Sequence, residues 1–345
     1  MAIPDTPSRR DRSRRAGLLV LSLGAAACDA CEWRPQAERK LAAYVEAIDP
    51  GQGGAPDRTS SLQRLPPRPE RSVELPRRTI DISGFLSLQG CALGERVGER
   101  NSGLGRVMTD SQRWVYEAAF LRDAEACAPG LDPEEQPKLR DVIDAKRSEL
   151  PTVVWNAIWG GPEIQHLFAL SGRELDPGAG AAALAAADAL GLLRRFAADP
   201  LTITSRDLEG ALGTLRSSTA GGDVLRALEA LAHYLDAAAA RLEAVAPAPD
   251  CEHLRQVFER RYAGEVQPYV ARTHQAAAPL VAASWDLYKE TAERLPADLP
   301  AIAAYAAAQL DPAAGPWGRY EAALGRHTAA WQRVATTCGF APSAG

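Results

Sequence analysis

The chain has 345 residues, of which 46% are hydrophobic, 24% charged and only 6% aromatic, with a formal net charge of −5. This excludes a low-complexity or disordered chain, and the negative balance without a basic stripe argues against a nucleic-acid partner. Because Ala and Leu carry most of the apolar content and runs of Val, Ile and Thr are few, the composition favours helix over strand. The expected fold is all-α: a multi-helix bundle with an extended Pro/Arg-rich connector on its N-terminal side.

Residues 1–27 read as a lipoprotein signal peptide. Arg9, Arg10, Arg12, Arg14 and Arg15 form a basic segment, and the apolar run Ala16–Ala27 that follows is too short to span a bilayer. It ends Ala25-Ala26-Ala27-Cys28, which resembles a lipobox with Ala25 in place of the usual Leu. Cys28 is then the lipidated first residue of a protein held in the bacterial envelope and facing the periplasm. Asp29, directly after it, resembles an inner-membrane retention signal, and the choice between inner and outer membrane stays open. Beyond residue 27 there remain 34 basic and 42 acidic side chains, a net charge of −8, so membrane contact is expected through the acyl anchor alone. In an oxidising compartment the well-spaced Cys91, Cys127, Cys251 and Cys338 are expected to pair. Cys251 stands at the entry of one predicted helix and Cys338 at the exit of the last; Cys91 and Cys127 flank the motif at residues 99–108 in the same way. The expected disulfides are Cys91–Cys127 and Cys251–Cys338, with Cys31 free or intermolecular.

Residues 28–78 comprise the anchor, a short amphipathic helix marked by Leu41, Tyr44, Val45 and Ile48, and a Pro-rich connector over 50–78 that wraps the body or stays mobile. The all-α domain follows over 79–340, with a sub-boundary near 172–180 left open. A helix is expected to begin near Asp81 or Ser83 and to carry Phe85, Leu88, Leu93 and Val97. Asn101, Ser102 and Gly103 stop it. Thr109-Asp110-Ser111-Gln112 reads as a capping box opening the next helix. Asp132-Pro133-Glu134-Glu135 reads as a sharp helix start, and Leu150-Pro151 as that helix's break. Trp155, Ile158 and Trp159 share a face of a short segment, and Pro162 opens another. From about residue 180 the helices become Ala-rich: 180–198, 205–217, a long one striped by Val224, Leu228, Leu231, Leu235, Leu242 and Val245, 251–292 with a bend at Gly264 or Pro268, 298–309 and 316–337.

The stretch E-R-N-S-G-L-G-R-V-M at 99–108 is an inter-helix corner. Gly103 and Gly105 supply positive φ or close backbone approach, and Asn101 and Ser102 satisfy freed backbone groups. The corner alone does not account for Glu99, Arg100 and Arg106, which are expected to form a half-buried network with Arg100 or Arg106 reaching Glu117 or Glu163. Trp155, Trp159 and Phe168 read as core rather than an aromatic groove, and Glu163 as a helix-dipole partner in a first turn. His166, His233, His253, His274 and His327 show no metal-ligand spacing and read as surface or half-buried helix residues, and no cofactor motif is present.

Taken together, the lipobox, F-L-x-L-x-x-C, E-R-N-S-x-L-G-R-V-M, S-Q-R-x-x-Y-E and L-P-x-x-x-W-N-A-x-W-x-G-P-E resemble a family of gammaproteobacterial envelope proteins, domain-of-unknown-function family 3080. The resemblance spans Phe85 to Phe168 and implies location and architecture, with no activity attached. Two function classes follow from the sequence. The first is a non-enzymatic lipoprotein that binds an envelope partner, with Glu99, Arg100, Asn101, Ser102, Arg106, Glu117, Trp155, Asn156 and Glu163 as candidate binding or structural residues. The alternative is an envelope hydrolase or lyase in which Glu99 or Glu117 is acid or base and Arg100 or Arg106 holds an anionic substrate.

Overall fold

The computed structural model describes residues 36–76, 88, 90–103, 105–171, 179–246 and 248–340, and every regular element among them is helical. The signal peptide, Cys28, Cys31 and Phe85 lie outside the described residues, as do the expected boundaries at 78/79 and through 172–178. In chain order the helices are α1 Gln36–Ile48, α2 Ala92–Asn101, α3 Asp110–Cys127, α4 Gln136–Ile158, α5 Pro162–Leu167, α6 Ala179–Ala198, α7 Ser205–Arg216, α8 Ala220–Val245, α9 Cys251–Val257, α10 Gln267–Ala292, α11 Pro300–Tyr305 and α12 Pro316–Cys338. None of the described helices is long and apolar enough to cross a membrane.

Three helix pairs make the core: α3 with α4, α6 with α10, and α8 with α12. Surface pairs Arg326–Asp236 and Arg333–Glu243, each separated by 90 residues, show α8 and α12 running in the same direction. Parallel helices need a long return, which α9 to α11 supply. The Cys251–Cys338 disulfide closes the end of this unit, and Cys91–Cys127 joins the start of α2 to the end of α3. Trp114, Trp155 and Trp159 are fully buried, and the Trp155 and Trp159 rings lie 5.8 Å apart with Tyr288 edge-on to both.

Several boundaries differ from the sequence reading. The start expected near Asp81 or Ser83 lies outside the described residues; the helix that carries Leu93 and Val97, α2, begins at Ala92, because Gly90 adopts φ 109°, outside helical geometry, and Cys91 is extended. Asp132–Glu135 forms a separate turn in which the Asp132 carbonyl accepts from the Glu135 and Gln136 amides, so α4 begins at Gln136 without a side-chain cap. Pro151 does not break α4. One hydrogen bond is forfeited there, but burial of Leu150 and of Thr152 to Ile158 holds the helix through it. The bend expected at Gly264 or Pro268 is a widening of the helix to π geometry over Phe258–Val266, and Pro268 follows directly after it as the second residue of α10. α11 likewise ends in a π-helical stretch, Ala306–Leu310.

α1 packs against α8 and the first π-helical stretch. Its Tyr44 is buried where α12 passes: the Trp331 indole N–H donates to the Tyr44 hydroxyl at 2.6 Å, leaving the Tyr44 O–H to donate to His327 Nε2 at 2.7 Å. Tyr262 of the π-helical stretch stacks at 4.8 Å from the His327 ring. His327 is therefore no surface histidine; it is fully buried, and its Nδ1, which carries the proton in this arrangement, has no partner. Burial lowers its pKa from the ordinary 6.5 to about 4. The unfolded chain takes up a proton near pH 6.5 that the folded chain refuses until about pH 4, so this residue's stabilising contribution is complete above pH 6.5 and is lost as pH falls toward 4. The loss amounts to about 3 kcal/mol. Unfolding free energies at pH 7 and pH 4.5 are expected to show a smaller acid loss in His327→Gln than in wild type; equal losses would contradict the assignment.

Candidate functional site

The corner at 99–108 is built from its own backbone. The Ser102 hydroxyl donates to the Glu99 carbonyl at 2.6 Å and accepts from the Gly105 amide at 3.1 Å. A Cβ at Gly105 would collide with the Glu99 and Arg100 carbonyl oxygens, so close backbone approach fixes this glycine, whereas Gly103 has open space and no positive φ. Thr109 and Gln112 complete the reciprocal capping box, with Gln112 N–H donating to Thr109 Oγ1 and Thr109 N–H donating to Gln112 Oε1. Glu99, Asn101 and Ser102 are exposed. The side chain of Arg106 lies outside the described residues.

Arg100 does not reach Glu117 or Glu163, and each of these three takes other partners. Arg100, on the last turn of α2, reaches past the corner to donate to the Gly105 carbonyl and lies 5.9 Å from the centre of the Tyr116 ring. Glu117 faces α4 from the buried side of α3, so its partner is Lys146 at 2.5 Å, with Arg113 at 3.7 Å. Lys146 also lies 4.5 Å from the centre of the Phe120 ring. Glu163, in the first turn of α5, pairs with Arg216 at the end of α7. The candidate residues thus go to separate neighbours.

What the W-N-A-x-W-x-G-P-E motif does hold is the connector. Residues 49–76 run along the body as an extended strap. Val73 N–H donates to Asn156 Oδ1 at 2.9 Å, Asn156 Nδ2 donates to the Val73 carbonyl at 2.7 Å, and the Trp155 indole N–H donates to the Arg71 carbonyl at 2.9 Å. The Arg71 side chain is buried: Nη1 donates to the carbonyls of Trp159 and Gly161, Nη2 to Gln165 Oε1 at 2.9 Å, and Nε to the Pro66 carbonyl at 2.9 Å. Burial lowers the Arg71 pKa from its ordinary value, and nearby Arg68 lowers it further.

Earlier along the strap, Glu229 of α8 accepts from Arg58 Nη1 at 2.6 Å, from the hydroxyls of Ser60 and Ser61, and from the Ser61 amide. Arg58 bridges on to Glu38 of α1 at 2.7 Å. Arg241, also of α8, donates to the carbonyls of Val45, Asp49, Gly53 and Gly54. His233 and His253 contact the carbonyls of Pro56 and Ala47. Sequence reasoning missed Arg58, Arg71, Glu229 and Arg241. The available signal was in α8, where Glu229 and Arg241 adjoin Leu228 and Leu242 of the apolar stripe and so needed polar partners. Among the described residues no three His, Cys, Asp or Glu side chains gather as a metal site.

These features define an all-helical, disulfide-linked protein with a strap clasped to its body by buried charges. The chain belongs to the family described as "Protein of unknown function (DUF3080)", whose model matches residues 46–342, well beyond the motif-bearing stretch. No curated protein and no solved structure matches it.

Glu117→Ala removes the buried carboxylate that pairs with the half-buried Lys146 ammonium and is expected to destabilise the fold by about 2 kcal/mol. Arg100→Ala strands no carboxylate and is expected to cost about 1 kcal/mol, the net worth of a part-exposed hydrogen bond. Denaturant unfolding of the two variants checks the order; a larger loss for Arg100→Ala would contradict the pairing.

Proposed function

We propose that this protein is a lipid-anchored, periplasm-facing binding module of the bacterial envelope that works through contact with a partner rather than by catalysis. The observation that carries the reading is how the polar residues of the shared motifs are engaged. Glu117 goes to Lys146, Glu163 to Arg216, Asn156 to the Val73 backbone and Arg100 to the Gly105 carbonyl. A general acid or base needs a carboxylate free to meet substrate in a cleft beside a group that holds it. Here Glu117 and Glu163 are each engaged by a cation of the fold itself.

Export is supported by the basic segment Arg9–Arg15, the apolar run to Ala27 and Cys28, and by the two cystines, which suit an oxidising compartment. A partner-facing surface is supported by Val107 and Leu184, large apolar side chains that are 74% and 50% exposed. Detergent partitioning is expected to send wild type to the membrane phase and Cys28→Ala to the aqueous phase, and a photo-crosslinker at Val107 or Leu184 in the intact envelope is expected to give one reproducible adduct. Equal partitioning of both forms would refute the anchor, and no adduct at either position would refute the binding role.

A further inference from the structure

We propose that the groove between the end of α4 and α5 is a recognition site for an arginine-bearing peptide segment of another protein, which the chain's own residues 71–73 occupy in cis. The inference rests on the binding role proposed above and names the chemistry of its partner.

The groove reads two things. Its first contacts are to backbone: the Asn156 amide bonds both the N–H and the carbonyl of Val73, as the edge of a sheet would, and Trp155 donates to the carbonyl two residues earlier. Such contacts accept any extended segment, because they do not touch side chains. The second is a socket for one guanidinium, formed by the Trp159 and Gly161 carbonyls and Gln165 Oε1. Three acceptors arranged around a planar fork suit arginine and not the single ammonium of lysine. The required segment therefore turns at its arginine, as Arg71 does on leaving the 3-10 turn Arg68–Glu70, and places that arginine two residues before the position that Asn156 grips.

Two observations favour exchange over a permanent staple. Among the described residues, no carboxylate accompanies the Arg71 guanidinium, so the strap docks a buried charge against dipoles alone, and an ion pair or an apolar side chain would fasten it more firmly. Pro67, Arg68, Pro69 and Glu70 before the socket, and Glu74 and Pro76 after it, are exposed, so these residues can leave into water without opening the helical core.

The test uses a labelled peptide with the sequence of residues 65–76 and the purified full-length protein. The tethered segment competes at millimolar effective concentration, so wild type is expected to bind the peptide weakly and Arg71→Ala, with its socket vacated, about tenfold more tightly. Changing the arginine of the peptide that corresponds to Arg71 to lysine is expected to weaken capture by about tenfold. A folded Arg71→Ala protein that captures no peptide, or captures the lysine peptide equally, would overturn the proposal. Should Arg71→Ala fail to fold, amide exchange in wild type decides: excess peptide is expected to speed exchange at the Val73 amide, and an unchanged rate would overturn the site. Either failure leaves the crosslinking result at Val107 and Leu184 standing by itself, which separates this proposal from the binding role.

Discussion

The strap, residues 49–76, has no α-helical or sheet bonding to hold it, and its place on the body depends on charges buried against polar groups. Ordering one residue's backbone costs about 1–2 kcal/mol, and a strap rich in Pro, Gly and Arg has too few apolar side chains to offset that by burial. Instead, Arg241 draws in four carbonyls at the turn after α1, Glu229 collects four donors from Arg58, Ser60 and Ser61, and Arg71 enters a socket beside Trp159. A buried charge that loses its partners costs several kcal/mol. The Glu229 and Arg241 clasps, whose charges stay behind on α8, therefore fix the strap through the penalty of letting go more than through the gain of holding on.

The rest of the architecture follows from where those clasps lie. By gripping the carbonyls of Val45 and Asp49, Arg241 sets the end of α1 against α8, and that seats Tyr44 between Trp331 and His327 of α12. One end of the strap is thereby joined to the α8–α12 pair that Cys251–Cys338 closes, and the other to α4 and α5 through Arg71 and Asn156. The strap spans two of the three helix pairs. At the α4 end the buried charge belongs to the strap itself and leaves with it, whereas Glu229 and Arg241 remain on α8, which makes the α4 end the more exchangeable of the two.

Helical stripes were legible because burial of one face imposes a period. The ends of α6, α7 and α12 fall within a residue or two of where the Leu and Ala pattern puts them, and the capping box at Thr109–Gln112 forms as its residues require. The cysteine pairs were legible for a related reason, since Cys251 and Cys338 stand at predicted helix ends and Cys91 and Cys127 flank the corner at 99–108. Pro151 was misread because a local rule was applied where tertiary burial of Val153, Val154 and Trp155 outweighs it. Arg71 was hidden for the opposite reason. An extended strap has no period, and in sequence a buried arginine among prolines looks the same as the exposed Arg68 three residues before it. Asn156 and Trp155 stood out as motif residues, but their partner is a backbone and backbones leave no trace in composition.

Strap docking is most directly measured at the Ser61 amide, which lies in no helix or sheet and donates to Glu229 Oε1. Amide hydrogen exchange is predicted to show Ser61 protected in wild type and released in Glu229→Ala, with the α8 and α12 amides remaining protected in both. A Ser61 amide that exchanges in wild type as fast as in an unstructured peptide would contradict the account.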